Sequence, residues 1–400
     1  MSLWTSLLLA FSLPSGQELG SIVVAAGDLE RQDAIASIEL KPAMAGMPLR
    51  LFEVQGDERT EIPCQVERGE LARLWWVMSG ETAAGGERHF ALESGAPMRK
   101  DGLSLVTDDR DLTIRRDDQD VLVYHHGFVA PPEGVHESFL RNAYIHPLSS
   151  PSGRMLTEDF PADHFHHKGV WFPWTRTEFQ GKKVDFWNLR EQQGTVRFVE
   201  YAGQWSGSVF AGFRAKHEHV VFADKGETVP ALNETWDVRV WNVGGDEYSL
   251  FDLEVRQRCA GESPLKQQRY HYGGLGFRGA KGWKGEDYLA VTSEGKTHLD
   301  GHQTRAKWCG HSGPVDGEWA AVVILCDPSN FRFPEPMRMW NQGGAFFCYC
   351  PSQLGEWSIE PDQEHHVRYR FVLQDGRIER EQSERLWQDF AHPVKARWSK

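Results

Sequence analysis

Residues 194–203, 207–223, 231–243 and 248–261 read GTVRFVEYAG, GSVFAGFRAKHEHVVFA, ALNETWDVRVWNV and YSLFDLEVRQRCAG. In each, apolar and polar residues alternate over long stretches, the period of a strand with one buried and one wet face. Successive long strands of this kind predict a large antiparallel sheet, and such a sheet must stack its apolar face on a second one. Helical periodicity is confined to ERLWQDFAHPV at 384–394, so helix is expected in under about a fifth of the chain. No fixed-period repeat signals a propeller or solenoid. The expected fold is mainly β: a large antiparallel sandwich of the supersandwich type, preceded by a smaller β-sandwich domain.

The smaller domain is read from GSIVVAAGDL, SIELKP, LRLFEVQG, IPCQVERG, LARLWWVMSG and RHFALESG between residues 20 and 95. These are short apolar or alternating runs cut by Gly, Pro and charged turns. GAPMRKDG at 95–102 then reads as a linker. The segment 103–127 carries two or three strands joined by Asp-rich corners. Residues 128–163, rich in Pro, Gly and Ser, read as a long ordered surface loop of the kind that carries function. The expected division is a signal peptide at 1–16, a small domain at 17–97, a large domain at 98–385 and a C-terminal tail at 386–400. The signal peptide rests on the apolar stretch Leu3–Leu13 followed by Pro14, Ser15 and Gly16, and it implies a periplasmic or secreted protein.

Composition narrows the partners. A formal net charge of −13 argues against nucleic acid, whose binding needs clustered Lys and Arg. Beyond the N-terminus no stretch approaches the roughly 18 apolar residues of a membrane span. Sixteen tryptophans supply flat amphipathic rings that suit sugar faces as well as a core. The six cysteines show no CxxC spacing. Cys348 and Cys350 share one face of a strand and fit a pair of buried free thiols as readily as a bridge. Oligomeric state is not legible.

The chemistry concentrates between Arg141 and Asn188, in RNAYIHPLSSPSGRMLTEDFPADHFHHKGVWFPWTRTEFQGKKVDFWN. Imidazoles beside carboxylates and aromatic rings supply acid/base groups, metal ligands and a stacking surface together. His146 and His167 are the acid/base candidates, with Glu158, Asp163 and the more distant Glu234 orienting or sharing protons. Trp171, Trp174 and Trp187 are candidates to stack on sugar rings. A second group, QRYHYGGLGFRGAKGW at 268–283, has no helix pattern after its glycines and so is not a phosphate loop. Its Tyr270, His271 and Arg278 could bind hydroxyls or a carboxylate. His164 and His166 would share a strand face in the His-x-His arrangement that holds a divalent metal; the cofactor stays open between that metal and none. CGHSGP at 309–314 places His311 in a turn, and Trp340 and Asn341 stand near a Gly pair.

YIHPLSSPSG, TEDFPADHFHHKGVWFPW, VDFWN and YHYGGLGFRG together resemble the bacterial family labelled PmoA-like or methane oxygenase PmoA. The likeness covers about residues 100–380, most specifically 144–188. A methane monooxygenase subunit is disfavoured, because that protein spans the membrane repeatedly and this chain carries no such spans. GEWSIEPDQEHHVRYRFVLQDG at 355–376 is similar to the closing strands of galactose-mutarotase-like proteins, which supports the sandwich more than any mechanism. The expected function is extracytoplasmic processing of a carbohydrate by His/carboxylate acid-base chemistry, through hydrolysis, epimerisation or β-elimination. The alternative is a non-catalytic glycan-binding or structural protein.

Overall fold

A computed structural model describes residues 16–69, 71–99, 102–339 and 344–399. The expected signal peptide, and Trp340 with Asn341, lie outside the described residues, except for Gly16. Strand accounts for 51% and helix for 7%, and the named strand pairings are antiparallel. The chain divides into two compact units, Met1–Arg99 with Val394–Lys400, and Lys100–Pro393.

In the first unit a five-stranded sheet runs in the order Lys395–Trp398, Glu18–Ala25, Glu87–Ser94, Leu49–Gln55, Glu58–Ile62. A three-stranded sheet is formed by Arg31–Glu39, Arg73–Thr82 and Cys64–Glu67. Ile22, Val24, Leu51, Leu74, Trp76 and Leu92, drawn from both sheets, share one core. The last residues, expected as a tail, are instead the second half of the helix Arg380–Ala391 and a strand that pairs with Ile22–Ala25. No apolar run announces that strand, because Lys395–Trp398 alternates over only four residues.

The second unit is built on two eight-stranded sheets. One is formed by the long strands Gly194–Trp205, Phe210–Phe222, Thr228–Trp241 and Tyr248–Cys259, continued by His365–Asp375, Glu318–Cys326, Trp308–Val315 and Leu289–Thr292. Between Leu253 and Cys259 burial alternates along the strand, as the sequence pattern requires. The other sheet runs Met337–Met339, Phe346–Tyr349, Gly276–Arg278, Val170–Trp171, Tyr144–Leu148, Gln119–His125, Asp111–Arg116, Leu103–Thr107. Rings from the two inner faces meet: Tyr124 on Phe213 at 4.6 Å, Phe347 on His311 at 4.8 Å and Tyr349 on Tyr369 at 5.6 Å. This is sheet-on-sheet packing with an aromatic core.

Two expectations change here. Residues 128–163 are not one surface loop, because Tyr144–Leu148 pairs with both Gln119–His125 and Val170–Trp171. His311 lies in a strand, fully buried, with its Nδ1 2.7 Å from the Tyr288 hydroxyl.

Candidate functional site

Tight backbone turns shape the histidine segment. The amide of His164 donates to the Pro161 carbonyl at 2.9 Å, and that of His167 donates to the His164 carbonyl at 2.8 Å. This brings residues three apart onto one side, and the rings of His164 and His167 stack at 4.6 Å, 5° from parallel. His167 continues the column onto Phe346 at 4.5 Å. Phe346 sits directly opposite Arg278 in the register of the neighbouring strands, so sheet pairing sets the guanidinium beside the histidine column.

Arg278 is the centre of the charge arrangement. Its guanidinium donates to both Asp163 carboxylate oxygens, at 2.9 and 3.2 Å, and to Glu158 at 3.2 Å. Asp163 in turn accepts from His164 Nδ1 at 3.0 Å. Burial pushes the Asp163 carboxyl upward, but the hydrogen bonds from His164 and Arg278 outweigh it and hold the group below its ordinary value. A two-pronged arginine fixes the plane of the carboxylate, and the carboxylate fixes the imidazole.

His164, His166, His167, Asn188, Tyr270, His271, Tyr272, Arg278, Arg338 and Phe346 line a cavity of about 200 Å³. Burial, reinforced by the charges of His164, Arg141 and Arg338, lowers the His166 pKa to about 3. Burial and the neighbouring cations also hold His167 well below the usual imidazole range. Burial together with Arg338 lowers His271. His166 and His167 are therefore neutral at neutral pH, each with one N–H donor and one acceptor nitrogen. Burial raises the Tyr272 phenol above its ordinary value, and its hydroxyl accepts from Trp171 Nε1 at 3.0 Å.

Asn188 is held by its own turn. Asp185 accepts from the amides of Trp187 and Asn188, each at 2.8 Å, and from the Asn188 side chain at 2.6 Å. The Asn188 Oδ1 is buried and finds no donor among the described residues. Arg141 secures the same segment from behind, 3.9 Å over the Trp187 ring and donating to the Trp187 carbonyl at 2.8 Å. Asn188 and Tyr270 also line a second, adjoining cavity of about 430 Å³ with Arg176, Lys183, Asp185 and Arg190.

Of the residues expected at a site, His164, His166, His167, Tyr270, His271 and Arg278 share the first cavity, while Glu158 and Asp163 stand behind it on Arg278. The others lie elsewhere. Trp171, Trp174 and Trp187 are each 0% exposed; they pack the core and offer no face to a sugar. The amphipathic ring that suits a sugar suits a core equally, and sequence does not separate the two. Glu234 is buried between the sheets, where its carboxylate takes hydrogen bonds from His217 at 2.7 Å and His219 at 3.2 Å, and from Gln257. His146 bonds the Thr157 hydroxyl at 2.9 Å, and burial lowers its pKa to about 4. It stands with Tyr144, Asp159 and Lys168, outside the cavity lining. The rings of His164 and His166 meet edge to face at 5.5 Å, and among the described residues no three His, Cys, Asp or Glu side chains are placed to hold a metal ion. Cys348 and Cys350 are buried free thiols. Asn188 and Arg338 escaped the sequence reading, although Asp185-x-x-Asn188 is a local signal for a side-chain-capped turn.

The fold and site define a two-unit antiparallel β protein whose larger unit carries a histidine-lined cavity fixed by an arginine–carboxylate pair. The chain belongs to the family of unknown function DUF6807, whose model matches residues 111–388. No curated protein matches it in sequence. Among solved structures it is similar to a protein in the glycosyl hydrolase family 38 from Enterococcus faecalis, with TM-score 0.45 and 10% identity over 95% of this chain and 47% of that one. An alpha-mannosidase from Enterococcus faecalis V583 gives TM-score 0.47 and 11% identity over 95% and 46%. A TPR-domain containing protein from Parabacteroides distasonis ATCC 8503 gives 0.25 and 10% over 91% and 57%. The chain thus spans about half the length of these solved chains. At these scores the reading of the site rests on its own residues. Among the described residues no helix is long and apolar enough to cross a membrane.

Proposed function

We propose that the histidine-lined cavity binds a carbohydrate and transfers protons on it, with His164 as the base. The observation that carries this reading is the chain Arg278–Asp163–His164. Asp163 accepts from His164 Nδ1, which makes Nε2 the basic nitrogen, and Arg278 keeps the carboxylate ionised and oriented. His164 therefore moves from metal candidate to acid/base candidate, and Asp163 and Arg278 become its positioning residues. His166 and His167, held neutral by burial, offer both donors and acceptors to sugar hydroxyls. The burial of Trp171, Trp174 and Trp187 takes away the stacking faces that a glycan-binding role assigned to them; the alternative of a non-catalytic glycan-binding or structural protein then relies on hydrogen bonds from the cavity histidines.

His164→Ala is expected to lower turnover by roughly 100-fold or more, the size of a lost general base. Its thermal midpoint should stay close to that of the parent, because the ring is half-buried at the cavity rim. The assay is product formation from a panel of oligosaccharides. Wild-type turnover in the variant would remove His164 from the chemistry, and unchanged binding without any turnover would leave a glycan-binding protein.

The kinship with PmoA-like proteins at 144–188 and export through residues 3–13 belong to the same proposal. N-terminal sequencing of protein recovered outside the cytoplasm would show a chain beginning near Gln17, and a chain retaining Met1 would contradict export.

A further inference from the structure

The histidine-lined cavity has a larger neighbour. The first measures about 200 Å³ and the adjoining one about 430 Å³. Small-molecule sites run from roughly 300 to 1,000 Å³, so the first alone is small for a ligand and the two together are not. Asn188 and Tyr270 line both and form their common wall. Both are held by the protein itself. The Asn188 side chain donates to Asp185 at 2.6 Å; the Tyr270 amide donates to the Ser352 carbonyl at 3.2 Å, and its ring lies 4.2 Å from that of His271. A ligand therefore has little to order in that wall on binding.

The rest of the second cavity is shaped by the loop that follows Asp185. The ends of this loop are joined by the Asp185 amide, which donates to the Gln193 side chain at 2.9 Å. Between them Leu189 and Gln192 adopt left-handed backbone, with φ of 48° and 50°. Residues other than glycine disfavour that region, and they persist there where the surroundings over-determine them, commonly at ligand-binding sites. The loop and the strand Lys182–Val184 put two kinds of chemistry around one space. Val184 and Leu189 are buried and apolar, whereas Lys183, Arg190, Glu191 and Gln192 are exposed and end in donors and acceptors. Charges of both signs stand there, so the lining favours hydroxyls, which donate and accept, over an ion of either sign. A sugar ring has the matching division, an apolar C–H face and a rim of hydroxyls.

We propose that the second cavity is a further saccharide subsite. The ligand is an oligosaccharide of at least two units, one against His164 and the next in the cavity lined by Val184 and Leu189, with the linkage passing Asn188 and Tyr270. The proposal rests on the saccharide reading above and deepens it by setting the length of the substrate.

Calorimetric titration of the full chain with length ladders tests it. The probes are the mono-, di-, tri- and tetrasaccharides of glucose, galactose, mannose and xylose. In at least one series the step from one unit to two is expected to tighten binding about tenfold or more, because the second unit is delivered to its subsite by the first. Asn188→Ala should remove most of that gain, and Lys183→Ala, at an exposed strand position on the far cavity, should reduce it. The ladder decides the matter on the unaltered protein even if Asn188→Ala does not fold. Equal affinity along every ladder overturns the proposal while leaving the saccharide reading intact. A gain that persists undiminished in both variants places the second unit elsewhere and overturns it as well. Binding of no saccharide of any length overturns both.

Discussion

At the scale of single residues, the site is held by Arg278 more than by any histidine. Its guanidinium is almost fully buried and meets two partly exposed carboxylates, Glu158 and Asp163, so Arg278→Leu is expected to cost about 1–3 kcal/mol, between a solvated pair and a fully buried one. Urea unfolding measures this, and a loss under about 1 kcal/mol would mean that solvent takes over the pairing. His167 is a second case where stability and chemistry mix. It is 5% exposed and stacked between His164 and Phe346, so His167→Ala should lower the melting temperature, unlike His164→Ala. Sequence placed the imidazoles, Asp163 and Arg278 among the candidates because their residue types advertise chemistry. It could not tell the half-buried His146 and the buried Glu234 from the cavity-lining His164, because a side chain's surroundings depend on partners such as Thr157 and His217 that come from elsewhere in the chain.

At the scale of elements, the cavity depends on a short strand that sequence barely marks. Gly276–Arg278 pairs with Val170–Trp171 on one side and Phe346–Tyr349 on the other. A methyl group on Gly276 would meet the Trp171 ring at 2.6 Å. Gly276→Ala is therefore expected to destabilise by about 1–3 kcal/mol through overpacking, and to impair ligand binding by displacing Arg278; a thermal melt with a binding titration reads both. An unchanged melt would show that the indole can move aside. The long strands from 194 to 259 were legible because one wet face leaves an alternating pattern. Tyr144–Leu148 was not: it is paired on both sides, mostly buried and interrupted by Pro147, and proline in a run argues against a central strand.

At the scale of the whole molecule, several histidines are held in neutral form, His311 and His365 in the interior and His146 and His166 half-buried. Burial lowers His146 and His365 to about 4 and His166 and His311 to about 3. The unfolded chain takes up protons on these groups as pH falls through about 6.5, whereas the folded chain resists until near 4. Acid therefore draws the equilibrium toward unfolding. The melting temperature is expected to fall steadily from pH 6.5 to pH 4, and His365→Asn should flatten that slope; a flat profile in the parent would show these imidazoles to be solvated. The same division, structural histidines in the core and functional ones at the cavity, gives the most direct test of the account. Imidazole nitrogen resonances followed by NMR during titration with an oligosaccharide should shift at His164, His166, His167 and His271 and stay still at His217, His219, His311 and His365. Saccharide binding that leaves those four cavity resonances unmoved would contradict the site proposed here.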